Sequence, residues 1–168
     1  MCMKGKTHLH QHSNCCKSTA TQCGGGCCGQ ISVPVLSDQE MDFLGLMAQT
    51  PFLPLGCFVL KSSHSSHLAS VAFAPVYLTE KQADMDAVRE NAKVLEQLEK
   101  YGIITLDYDI PLENCDYSAF KESEAFNYFK DTVEEGKKNP DFIFNIASIE
   151  FGSIALTALG RAALSLMI

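Results

Sequence analysis

The residues best suited to chemistry lie together at the start of the chain. Six of the eight cysteines and three of the five histidines fall within the first thirty positions, which hold no acidic side chain. After Cys2 come His8, His10 and His12, then Cys15, Cys16, Cys23, Cys27 and Cys28, with Gly24, Gly25 and Gly26 inside the last thiol group. Thiolate and imidazole are the ligands of soft and borderline metals, and glycine lets a short segment wrap its donors around one centre. The thiols suit zinc as a four-sulfur tetrahedron or copper(I) at low coordination number. The alternating histidines add nitrogen donors for zinc or nickel. The order Cys-Cys-x6-Cys-x3-Cys-Cys is neither the paired C-x2-C of a zinc ribbon nor a familiar iron–sulfur spacing. It reads as a tract for flexible metal capture.

Beyond this segment the reactive side chains are scattered. His64-x2-His67 sits in a serine-rich stretch and reads as polar surface, and Cys57, inside an apolar run, reads as a small buried residue. Cys115 stands apart. Asp107, Asp109, Glu113 and Asp116 gather near a strand end, where a solvated edge is the simpler account than a hard-cation site. The sequence holds no glycine-rich phosphate loop, nucleophile elbow or HExxH. Without a nucleophile–base pair, the expectation is a binding or regulatory protein, not an enzyme.

Charge sharpens the division. Residues 1–30 carry Lys4, Lys6 and Lys17 alone, whereas all 20 acids and ten of the 13 bases fall in 31–168, a formal charge of about −10. Phosphate neutralisation supplies most non-specific nucleic-acid affinity, so such a body is a poor generic nucleic-acid binder. No apolar stretch is long enough to cross a bilayer as a helix, and no apolar h-region follows Lys4 and Lys6. The expectation is a cytoplasmic protein with no membrane partner, in a compartment where free thiols persist.

With 168 residues, the chain has room for one domain (31–168) behind a flexible tail (1–30). Ser37-Asp38-Gln39-Glu40 is a capping box, followed by Met41, Leu44, Met47 and Ala48 at helical spacing and then Pro51. Residues 52–60 and 68–78 read as two strands around the polar 62–67 segment, with a short helix over 52–60 as the alternative. Thr79-Glu80-Lys81-Gln82 reads as a second capping box, opening a helix with Met85, Val88, Ala92, Leu95 and Leu98 on one face and a stop at Gly102. A strand is predicted over 103–110, up to Pro111. Ser123 is predicted to cap a helix burying Phe126, Phe129 and Val133. A strand is expected over about 146–156, with Thr157 capping a last helix.

Two of these segments resemble a known superfamily. Val94 to Ile104, a leucine-rich helix, a glycine and a branched pair, resembles a winged-helix recognition helix entering its first wing strand. Ala155-Leu156-Thr157-Ala158-Leu159-Gly160-Arg161 resembles the second wing strand passing into a closing helix. Both are similar to bacterial winged-helix regulators of the MarR and PadR kind. The resemblance implies an α+β, winged-helix-like domain, here with an enlarged insertion at 111–145 between the wing strands. It implies transcription regulation through DNA, with Arg89, Asn91, Lys93 and Gln97 facing phosphates or bases. It also implies a homodimer, for which the apolar final helix offers a surface. The sequence departs from the pattern at 51–79, which reads as strands where a helix-turn-helix carries a helix. The helix meant for DNA mixes Asp84, Asp86, Glu90, Glu96 and Glu99 with its bases, so a solvated face with pairs such as Glu96–Lys100 competes with DNA contact. The alternative function is a protein-interaction module on the same fold, its tail a metal donor or buffer.

Overall fold

In the computed structural model, which describes residues 34–167, the first capping box forms as the sequence predicts. The Glu40 amide donates to Ser37 Oγ at 3.3 Å and the Ser37 amide to Glu40 Oε2 at 2.6 Å, opening helix α1 (Asp38–Gln49). This helix buries Leu44 and Met47, while Met41 and Ala48 face solvent. Strands β1 (Phe52–Ser62) and β2 (Ser65–Val76) follow as an antiparallel hairpin. Its turn is held from across the fold: the Ser63 amide donates to Asn145 Oδ1 at 2.8 Å, and Asn145 Nδ2 to Ser63 Oγ at 2.6 Å. Pro54 lies within β1 but before Gly56, the first residue paired with β2, so its missing N–H removes no bond on that side.

Helix α2 (Met85–Lys100) starts later than the second capping signal predicts. Residues 79–82 form a bend and turn, closed by the Ala83 amide on the Glu80 carbonyl at 3.2 Å. Ala83 is buried and its carbonyl accepts from the Ala125 amide at 3.1 Å, which fixes the chain against a later helix before α2 begins. Asp84 is the true N-cap, its carboxylate accepting from the Ala87 amide at 2.9 Å. At the other end Gly102 adopts φ 70°. Its amide donates to Glu99 O at 2.8 Å and that of Ile103 to Leu98 O at 3.0 Å, the paired bonds of a Schellman stop.

Strand β3 is shorter than the predicted 103–110, running from Ile104 to Asp107. Only those four residues meet partners on the last strand, and the chain then turns away across Gly152. Two helices follow, α3 (Ser118–Glu122) and α4 (Glu124–Gly136), the second capped by Ser123 Oγ as predicted. Strand β4 (Ile146–Leu156) pairs along its length with β1 and at its end with β3, giving an antiparallel sheet in the order β2-β1-β4-β3. Thr157 then caps α5 (Ala158–Met167) through the Gly160 amide and ties it to the α2 terminus through the Gly102 carbonyl at 2.6 Å. The fold is α+β: five helices on a four-stranded antiparallel sheet, among the described residues.

The period-two alternation of β1 sends successive side chains to opposite faces, and each face has its own core. Leu53 and Leu55, with Ile104, Leu106, Ile154 and Leu156, pack under α1 and the C-terminal half of α2. Phe58, with Ile149 and Phe151 beside it, packs under α3 and α4. Its ring stacks on Phe129 at 5.1 Å with 7° between planes and leans on Phe126 at 5.6 Å. Such pairs add about 1 kcal/mol beyond the area they bury.

Candidate functional site

The predicted nucleic-acid contacts all lie on α2, but each of the three most polar ones is already engaged. Arg89 Nη1 donates to Asp86 Oδ1 at 2.7 Å, and Lys93 Nζ to Glu90 Oε1 at 2.6 Å. Asn91 turns inward, its amide donating to the Tyr77 carbonyl at 3.2 Å, and Gln97 is half-buried. The ion pairs on this helix are spaced i,i+3, one residue tighter than the predicted Glu96–Lys100. Six of the ten bases in 31–168 pair with carboxylates: Lys61, Lys81, Arg89, Lys93, Lys137 and Lys138. Two more lie over rings, Lys121 at 5.7 Å from Phe151 and Lys130 at 5.3 Å from Phe126. The bases are thus spread and six of the ten are paired with carboxylates, and α2, whose bases alternate with Asp86, Glu90, Glu96 and Glu99, presents no basic stripe of the kind that holds a phosphate backbone.

The reactive groups are likewise held in quiet forms. Cys57 is buried, and burial first, then the Glu150 carboxylate, pushes its thiol up, the opposite of an activated nucleophile. Tyr108 is pushed up to about 12, chiefly by burial and then by Glu99, Cys57 and Glu96. His64 and His67 are exposed at the hairpin turn and on β2. Members of the acidic group serve local structure: Thr105 Oγ1 donates to Asp107 Oδ2 at 3.0 Å, while the Ser118 amide and hydroxyl donate to Asp116, holding its carboxyl below the usual range. Among the described residues, no three of His, Cys, Asp or Glu are gathered so as to hold a metal ion. The predicted ligands His8, His10, His12, Cys15, Cys16, Cys23, Cys27 and Cys28 lie outside the described residues.

What the sequence reading missed is an edge. Strand β2 lies at one side of the sheet, with β1 its one partner among the described strands. From Ser62 to Thr79 the chain has no Asp, Glu, Lys or Arg. Ser66 to Ala72 are exposed in succession, Leu68 at 41% and Val71 at 64%. Over Val59–Lys61 the register with Ala69–Val71 of β2 is regular, and it is broken on both sides, between Lys61 and Ser62 toward the turn and beyond Val59 toward the cis Ala74–Pro75 bond. Native sheets blunt their edges with charge, bulges, proline or brevity. The opposite edge is brief, the four residues of β3; β2 is irregular at Ser66–Leu68 and beyond Val71, but between these breaks Ala69–Val71 are uncharged, exposed and in register with β1. The signal was present in the uncharged run 62–79, but a strand becomes an edge only through the order of the sheet, which the sequence does not spell out.

No protein-family model matches the chain, and neither does any curated protein. Among solved structures, an uncharacterized protein from the hydrocarbon-degrading marine bacterium Alcanivorax borkumensis SK2 is similar over 79% of this chain and 86% of its own. The identity is 16% and the TM-score 0.47, too low to carry a function across.

Proposed function

We propose that this protein is an interaction module that takes an extended segment of a partner protein onto the open edge of β2, as an added antiparallel strand. The observation that carries this reading is the charge-free, exposed Ser65–Val71 edge, whose Ala69–Val71 stretch keeps a regular register with β1. Backbone amides and carbonyls along such an edge offer affinity, and the side chains on its two faces offer selectivity. The domain's charge of about −10 argues against a second copy and for a neutral or basic partner, because like-charged bodies repel on approach. The N-terminal Cys/His tract accompanies this module as a donor or buffer for zinc, copper or nickel, in a cytoplasmic setting that keeps its thiols reduced.

A DNA-binding, winged-helix reading remains as the second proposal. It is favoured by the succession of α2, β3, β4 and α5, in which β3 and β4 pair antiparallel after the helix. It is disfavoured by the β1–β2 hairpin where a helix-turn-helix needs a helix, and by the acids Asp86, Glu90 and Glu96 interleaved with the bases of α2.

Photo-cross-linking in cells separates the two. A photoreactive residue replacing Ser66 or Ser70 is expected to trap one recurrent protein, whose purified segment then binds wild type but not Leu68→Lys or Ser70→Lys. Nucleic-acid adducts from probes at Arg89 and Lys93, with no protein adduct on β2, would reverse the ranking.

A further inference from the structure

We infer that the cleft between β1, β2, α2 and α4 binds a small amphipathic monocarboxylate, an alkyl or aryl acid. The cleft has a volume of about 340 Å³, within the range of small-molecule sites. Phe58, Phe73, Met85, Phe129, Val133 and Phe142 give it an apolar lining from four elements and the segment after α4. Phe58 is fully buried at its base, stacked on Phe129, so the floor is rigid.

One charged side chain borders this cleft, and it is the cation Arg89. Its present partner, Asp86, is 87% exposed and Arg89 itself about half exposed. An exposed i,i+3 pair of this kind is weak and screened by solvent, so a ligand carboxylate can replace it. A guanidinium matches a carboxylate with two parallel N–H···O bonds, which an alcohol cannot reproduce and an ammonium opposes. No acidic residue lines the cleft. The domain's negative charge is screened within about 8 Å at physiological salt, so the nearby Arg89 governs the encounter. A single cation also limits the ligand to one negative charge. Exposed Tyr128 and Thr132 stand one turn apart at the same opening; the Thr132 hydroxyl donates to the Tyr128 carbonyl at 2.9 Å, which leaves its oxygen as an acceptor.

Calorimetric titration of the full chain with octanoate, octan-1-ol and octylamine tests the inference. Octanoate is expected to bind tightest, with methyl resonances of Met85 and Val133 shifting on titration. Arg89→Gln should weaken octanoate about tenfold and leave octanol unchanged, while Ala72→Phe, which narrows the cleft, should weaken both. Absence of octanoate binding, equal affinity for octylamine, an Arg89→Gln variant that binds octanoate like wild type, or resonance shifts confined to other parts of the protein would each overturn it.

Discussion

Replacing Gly152 by alanine should destabilise the domain sharply, while the same change at Gly45 should strengthen it. A β-carbon on Gly152 would stand 2.1 Å from the Asp107 carbonyl oxygen and 2.7 Å from Tyr108 Cα. Ordinary contacts between heavy atoms are about 3.5 Å, so the backbone leaving β3 must retreat by more than about 1 Å. That retreat strains the Asp107–Ser153 pairing and the 2.7 Å bond from the Tyr117 hydroxyl to the Gly152 carbonyl. Overpacking costs about 1–3 kcal/mol and a weakened internal hydrogen bond about 1 more, giving a loss of about 2–4 kcal/mol. Gly45 lies mid-helix in α1 with nothing within 4 Å of an added β-carbon, so alanine there should add about 0.5–1 kcal/mol through helix propensity and a less flexible unfolded chain. With a urea dependence of about 2 kcal/mol per M, the midpoint should fall by about 1–2 M for Gly152→Ala and rise by about 0.3–0.5 M for Gly45→Ala. The sites share no partner, so the double variant should show the sum. A Gly152→Ala protein with the wild-type midpoint would refute the crossing of the Asp107–Tyr108 backbone over β4.

Three further outcomes are expected. Asp84→Ala should cost about 1 kcal/mol in thermal or urea unfolding and Thr79→Ala less than about 0.5, since the cap lies at Asp84; the reverse order would restore the helix start to residue 79. Tyr108 keeps its proton to a higher pH folded than unfolded. Its contribution is therefore fully present below pH 10 and lost as pH rises through about 12, and Tyr108→Phe should flatten that alkaline decline. Deleting residues 1–30 should leave the unfolding midpoint in place while removing zinc, copper or nickel found by elemental analysis after anaerobic purification. Collapse of the domain on deletion, or equal metal content with and without the tract, would contradict this assignment.

Local chemistry was legible wherever one residue type suffices to punctuate the chain. Ser37 with Glu40, Ser123, Thr157 and Gly102 each mark an element end that the structure bears out, because a cap depends on the few residues around it. Legibility failed where distant segments decide. Thr79 to Gln82 carries the same capping pattern as Ser37 to Glu40, yet the Ala83–Ala125 bond holds the chain out of the helix until Asp84. The end of β3 is set by where β4 offers partners, not by Pro111. For the same reason Arg89 reads from sequence as a contact for phosphate, whereas folding sets it beside Asp86 at the mouth of an apolar cleft. The exposed edge of β2 is visible only once four strands have been put in order.

Amide hydrogen exchange on the complex with the cross-linked partner segment tests the central claim most directly, since an added strand must form new backbone bonds along the edge it joins. Slowed exchange on β2 centred on Ala69–Val71, with α2 unchanged, is the predicted result. Unaltered exchange along β2, with protection appearing on α2 instead, would contradict the edge-docking account.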